Sequence, residues 1–265
     1  MLILVAICVL VGVLAGLMGG ALGLGGGVVI VPALIAAFHL MDYPASVLVH
    51  LAVATSLASI VVTSISAVLA HHRRGNLRGD LIRPLVPGVA LGAFAGAFLA
   101  SALPGDWLAR LFGIFAMAVS ARMFLAGGGA EADRERRPGA PVLAAAGTAM
   151  GVLSSLFGIG GGSMTVPFLQ WCRVTIRQAV AVSSACGLPI ALAGTLGFVI
   201  AGWGHPDLPA GALGYVHLPA ALAIMATSWP AARAGAGLAH RLPAVLLRRL
   251  FALLLFLVGL RLLLL

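Results

Sequence analysis

Lysine is absent from this 265-residue chain, Asp and Glu together number seven, and charged residues of all kinds amount to 9%. So few charges cannot cover the surface of a water-soluble domain of this size. The seven acids are Asp42, Asp80, Asp106, Glu131, Asp133, Glu135 and Asp207, and all fall in loops or at their edges. A carboxylate proton relay inside a membrane is thereby excluded. Only three cysteines occur, Cys8, Cys172 and Cys186, widely spaced and in or beside apolar runs. They form neither a zinc-ligand pattern nor a disulfide framework, so no metal or other cofactor is expected. No GK[ST] ending follows any glycine-rich run, which rules out a nucleotide-binding phosphate loop and ATP as a driving force.

Hydrocarbon fills the space that charge leaves. Apolar residues make up 62% of the sequence, with a mean hydropathy of +1.13. The lipid bilayer is the expected solvent for much of this surface. A formal charge of +9 would suggest nucleic acid in a soluble protein. Here the arginines lie in short loops between apolar runs, so they report membrane topology and no nucleic-acid partner. The opening MLILVAICVL lacks a positive n-region and is read as a first membrane helix, not a cleaved signal peptide. Apolar segments follow at 28–41, 45–70, 81–103, 106–126, 141–157, 163–172, 177–203, 210–232 and 243–265. The runs at 28–41 and 163–172 are too short to span, since about 20 residues are needed. Each is expected to be a half-helix closing a broken hairpin. Trp107, Trp171, Trp203 and Trp229 stand near segment ends as interface anchors.

The chain repeats itself. Residues 16–34 read GLMGGALGLGGGVVIVPAL and residues 151–169 read GVLSSLFGIGGGSMTVPFL, an offset of 135. Shared positions include Gly25–Gly27 with Gly160–Gly162, Pro32 with Pro167, and Gly23 with Gly158. A second echo pairs Ala54-Thr55-Ser56 with Val182-Ser183-Ser184. The fold class expected is an all-α membrane protein of two repeats, 1–128 and 141–265, joined by a hydrophilic cytoplasmic linker at 129–140. Each repeat holds a glycine-broken hairpin and three transmembrane helices. The Arg-rich loops at 71–83, around 134–137, at 173–177 and at 233–249 all reach the cytoplasm only if each hairpin returns to the side it entered from. Three spans per half then make the repeats inverted and place the N-terminus in the periplasm.

Paired glycine breaks in two halves of a membrane chain point to a transport site. Glycine lets backbone approach a ligand, and a half-helix starting at Val28 or Ser163 presents free N–H groups and a positive dipole end. That arrangement suits an anion. Hydroxyl donors are at hand in Thr55, Ser56, Ser163, Thr165, Ser183 and Ser184. Close helix packing through small residues is the competing account; it explains Gly88, Gly92 and Gly96 well and consecutive triplets less well. His50 and His217 are the titratable groups near membrane depth, suited either to proton linkage or to a hydrogen bond near the interface.

The double G-x-G-G-G-x4-P motif with its hydroxyl echoes resembles the sulfite exporter TauE/SafE family, as do RRGNLR at 73–78, the Gly-rich segment 84–103, the LGYVHLPA run ending at 220 and ARAGAGLAHRLP at 232–243. The resemblance implies a bacterial inner-membrane permease for sulfite, organosulfonates or related sulfur-containing anions. It carries the binding role to Gly25, Gly26, Gly27, Thr55, Ser56, Gly160, Gly161, Gly162, Ser183 and Ser184. An anion channel on the same fold is the alternative, then a membrane-embedded enzyme or assembly factor. Partners are a small anion and the bilayer, with a homodimer left open.

Overall fold

A computed structural model describes residues 2–22, 26–73, 75–125, 138–238 and 244–264. Among these the chain forms ten α-helices and one two-stranded sheet. The first half contributes α1 (Leu2–Leu22), α2 (Gly27–Leu40), α3 (Ala45–Arg73), α4 (Gly79–Ala102) and α5 (Gly105–Leu125). The second half contributes α6 (Ala140–Phe157), α7 (Gly162–Trp171), α8 (Ile176–Ala201), α9 (Leu218–Leu238) and α10 (Ala244–Leu264). Helices α3, α4, α6 and α8 are each long and apolar enough to cross a membrane. With 14 and 10 residues, α2 and α7 reach only ~21 and ~15 Å, short of the ~30 Å hydrocarbon core. The protein is thus an all-α, multi-pass membrane protein with two broken hairpins, each made of a longer helix and a half-helix.

One expectation needs correction. The run 210–232 is not a continuous helix. Ala212–Leu213 (β1) pairs antiparallel with Val216–His217 (β2), with Ala212 opposite His217 and Leu213 opposite Val216. Gly214 turns the hairpin at φ 53° and lies against the backbone of Val199. Helix α9 starts only after it, with Pro219 in the first turn where a missing N–H costs nothing.

Small residues set the helix packing. Gly88, Gly92 and Gly96 on α4 lie against Ala144, Thr148 and Val152 on α6, a spacing of four on both helices. The two therefore run parallel with backbones nearly touching, the packing that the four-residue glycine spacing suggested. Gly12 and Gly16 on α1 meet Ile224–Thr227 and Ser228–Ala231 on α9, again in parallel. Helices α3 and α8 cross antiparallel, Leu57 lying beside Gly194 and Ser64 beside Gly187. The pairing of α4 with α6 and α8 thus has a counterpart, with halves exchanged, in α9 with α1 and α3.

These directions sort the loops into two ends. Ser46, Leu103–Asp106, His205 and Tyr215 line one cleft, so the connections after α2, α4 and α8 share an end that is poor in arginine. At the other end Arg78 donates to Gln178 (3.2 Å), bringing the 75–78 loop beside Arg173 and Arg177. Hairpin α1–α2 opens toward the arginine-poor end, since α1 parallels α9 and α2 runs into Ala45. Hairpin α6–α7 opens toward the arginine-rich end, since α6 parallels α4 and α7 runs into α8. Trp107, Trp171 and Trp203 are 59–71% exposed at helix ends, as interface anchors require.

Candidate functional site

The two breaks meet. In the first half Gly26, at φ 69°, caps α2 and accepts from the amides of Val29 (3.0 Å) and Ile30 (3.2 Å). In the second, Gly158, at φ 61°, ends α6, and the amides of Gly158 and Ile159 turn back to Ser155 and Ser154. Both sit in the left-handed region that glycine enters without a Cβ penalty. A Cβ on Gly27 would lie 2.5 Å from the Gly158 carbonyl oxygen and 3.0 Å from Ile159 Cα. A Cβ on Gly158 would lie 2.8 Å from Val31 Cγ2 and 3.0 Å from Val53 Cα. Gly26, Gly27 and Gly158 are all buried, so the close-packing account holds at Gly27 and Gly158.

The hydroxyls divide unevenly between the halves. Ser56 Oγ donates to the Gly158 carbonyl at 2.7 Å, tying the first half to the second half's break. Thr55 Oγ1 accepts from the His217 amide at 2.9 Å. Ser184 Oγ returns to Val180 O in its own helix at 2.9 Å. Ser183 Oγ and Thr165 Oγ1, in residues 1% and 0% exposed, have no hydrogen-bond partner among the described residues. Both belong to residues that flank Gly161, where an added Cβ would lie 3.1 Å from Ser183 O and 3.3 Å from Thr165 Oγ1. Gly187 closes the group, its missing Cβ position 3.0 Å from Ser64 Oγ and 3.8 Å from the Gly161 nitrogen. The α7 ladder begins when Met164 and Thr165 amides donate to Gly161 O, so the amides of Gly160 and Gly161 precede it.

Of the residues singled out in the sequence, Gly26, Gly27 and Ser56 thus gather with Gly158 where the breaks touch, whereas Thr55 is turned to the His217 amide. Gly161 and Ser183 gather with Thr165 at the start of α7. Gly160 is buried in the break, Gly162 opens α7, and Gly25 and the Ser163 side chain lie outside the described residues. Gly158 carried a signal as a shared glycine of the repeat. Ser64 carried none, because its place depends on where α3 crosses α8.

The histidines are structural partners. His217 Nε2 shares a hydrogen bond with Tyr43 Oη (3.1 Å), and its Nδ1 accepts from the Ala220 amide (3.3 Å). The ring packs against Phe38 at a tilt of 54°, with centroids 5.4 Å apart. His50 Nε2 donates to the carbonyls of Ala100 and Leu103, both at 3.1 Å. It borders a cleft of about 470 Å³ shared with Ser46, Asp106, His205 and Tyr215 at the arginine-poor end. No group of three or more His, Cys, Asp or Glu residues suited to a metal ion occurs among the described residues.

An all-α membrane protein whose broken hairpins meet at a buried polar centre belongs to the class of multi-pass transport proteins. The sequence profile of the family described as Sulfite exporter TauE/SafE matches residues 8–262. A "Probable membrane transporter protein" of Haemophilus influenzae is 35% identical over 257 residues, 96% of each chain. "Probable membrane transporter protein YdhB" of Bacillus subtilis is 29% identical over 191 residues, 69% of this chain and 74% of its own. "Probable membrane transporter protein YunE", also of Bacillus subtilis, is 26% identical, covering 96% of this chain and 95% of its own. No solved structure matches. The chain belongs to the TauE/SafE family of membrane transporters.

Proposed function

We propose that this protein is a secondary transporter moving sulfite, an organosulfonate or a related small sulfur-containing anion outward across a bacterial inner membrane. The substrate binds where the two breaks meet, and the halves 1–128 and 141–265 rock about it. It has no catalytic role. The observation that carries this reading is that Thr165 and Ser183, two of the four buried hydroxyls without a partner among the described residues, both border Gly161 at the start of a half-helix. Donors left unpaired in a membrane interior cost free energy unless something occupies them. An anion at a helix N-terminus fits.

The inverted repeat is part of the proposal. Its support is that α1, α3 and α4 run opposite to their counterparts α6, α8 and α9, and that the two broken hairpins open toward opposite ends. The cytoplasmic side is the arginine-rich end, following the bias of basic loops. Closure of the path by Gly27 against Gly158 favours alternating access over an open channel. An inside-negative potential assists an exported anion by ~2.3 kcal/mol per charge per 100 mV, so efflux needs no coupled ion.

The test is flux of labelled sulfite and organosulfonates in proteoliposomes. Saturable flux with counterflow is expected. Linear, unsaturated conductance would favour a channel, and product formation in detergent without a second compartment would favour an enzyme.

A further inference from the structure

We propose, building on the transporter reading above, that the site selects substrates by charge state: it carries singly charged oxyanions and rejects dianions of the same size. The ground is what surrounds the site. Among the described residues the buried polar side chains are serines and threonines together with His50 and His217; no arginine, aspartate or glutamate is buried. Neither histidine supplies a counter-charge. His217 Nδ1 accepts a backbone hydrogen bond, so that nitrogen carries no proton and the ring is neutral. His50 is turned toward the Ala100 and Leu103 carbonyls at the end of α4, fourteen chain positions along α3 from Ser64, the α3 residue beside Gly187. The arginines nearest along the chain, Arg173 and Arg177, are exposed at the far end of α7 and the start of α8.

What remains to hold an anion is neutral: the hydroxyls of Thr165 and Ser183, the Ser64 hydroxyl beside Gly187, and the first amides of α7 with their partial dipole charge. The cost of moving an ion out of water grows as the square of its charge, so a dianion meets roughly four times the penalty of a monoanion in the same place. The attraction to fixed dipoles grows only in proportion to charge. Neutral donors therefore hold a monoanion far better than a dianion. Sulfonates carry one charge at any physiological pH. Sulfite does so only in its hydrogensulfite form, whose last proton leaves near neutrality.

The experiment is uptake into proteoliposomes bearing the full-length protein, competed by methanesulfonate and by sulfate, which differ in charge but little in size. Methanesulfonate is expected to compete with labelled sulfite, and sulfate to compete at least tenfold less well. Sulfite flux is expected to fall about tenfold per pH unit once the pH exceeds its last ionisation, whereas methanesulfonate flux stays level. Ser183→Ala and Thr165→Val should weaken methanesulfonate competition severalfold without lowering the amount of folded protein. Equal competition by sulfate, or sulfite flux that rises with pH, would overturn charge selection while leaving the transporter intact. Absence of any anion flux would instead remove the transporter reading on which the selection rests.

Discussion

At the scale of single residues, the glycines of the breaks are not interchangeable. Gly27 and Gly158 are contact points between the two halves, and Gly161 borders the unpaired hydroxyls. Gly27→Ala places a methyl 2.5 Å from the Gly158 oxygen, and overpacking of that kind costs about 1–3 kcal/mol. A lowered melting temperature in detergent, measured by thermal unfolding, is the expected result, together with lost flux. Gly79→Ala is the matched control, because nothing lies within 4 Å of its added methyl and its φ is helical; stability should be unchanged or slightly raised. Gly161→Ala differs from both. Its new methyl would press on Thr165 Oγ1 at 3.3 Å and Ser183 O at 3.1 Å, tight contacts that a small shift of those neighbours relieves with the fold kept. Transport should therefore fall much further than stability does. Equal losses at Gly27 and Gly161 would mean that both glycines serve packing alone.

At the scale of elements, contacts of unequal strength hold the β1–β2 hairpin and the loop before it. His217 N–H donates to Thr55 Oγ1 ten residues into α3, in a fully buried place, whereas Ser46 donates to Asp207 at the exposed rim. Thr55→Val keeps the shape and removes the acceptor, leaving a buried amide unsatisfied at a cost of about 1–3 kcal/mol. Faster amide hydrogen exchange across 212–217 is the expected signature. Ser46→Ala should leave that exchange nearly unchanged, since exposed polar contacts are worth little. Much of the helical plan was legible in the sequence: runs of apolar residues between glycine and arginine loops mark α2 through α8 within about three residues of their ends. Both half-helices start one residue ahead of Val28 and Ser163, at Gly27 and Gly162. The hairpin was hidden because 210–217 is as apolar as a helix, and only its contacts with α3 and α8 give those strands a place to pack. The uneven use of Thr55, Ser56, Ser183 and Ser184 was equally hidden. Matching pairs in a repeat look alike until a distant partner, here His217 for Thr55 and Gly158 for Ser56, takes up one pair and not the other.

At the scale of the whole molecule, the arrangement stands on which end faces the cytoplasm. The 75–83 and 173–178 stretches lie together at one end, joined by Arg78 and Gln178, and the turns at 41–44, 103–106 and 202–211 lie at the other. Basic loops resist translocation, so the first end is expected inside the cell and the second outside. This is testable by single introduced cysteines, because Cys8, Cys172 and Cys186 are all at most 1% exposed and offer little background to a membrane-impermeant thiol reagent. Asn76→Cys and Pro206→Cys mark the two ends. In intact cells with a permeabilised outer membrane, Pro206→Cys should label and Asn76→Cys should label only after lysis. The discriminating pair lies in the broken hairpins. Asp42→Cys, just after α2, should behave like Pro206→Cys, and Arg173→Cys, just after α7, should behave like Asn76→Cys. If each hairpin returns to its own side, the two half-helices enter the bilayer from opposite faces and bring their N-termini toward one midplane site. If Asp42→Cys and Arg173→Cys label alike, one hairpin crosses the membrane outright. The halves would then be parallel, and no substrate bound between the breaks could be offered first to one side and then to the other by the same rocking motion.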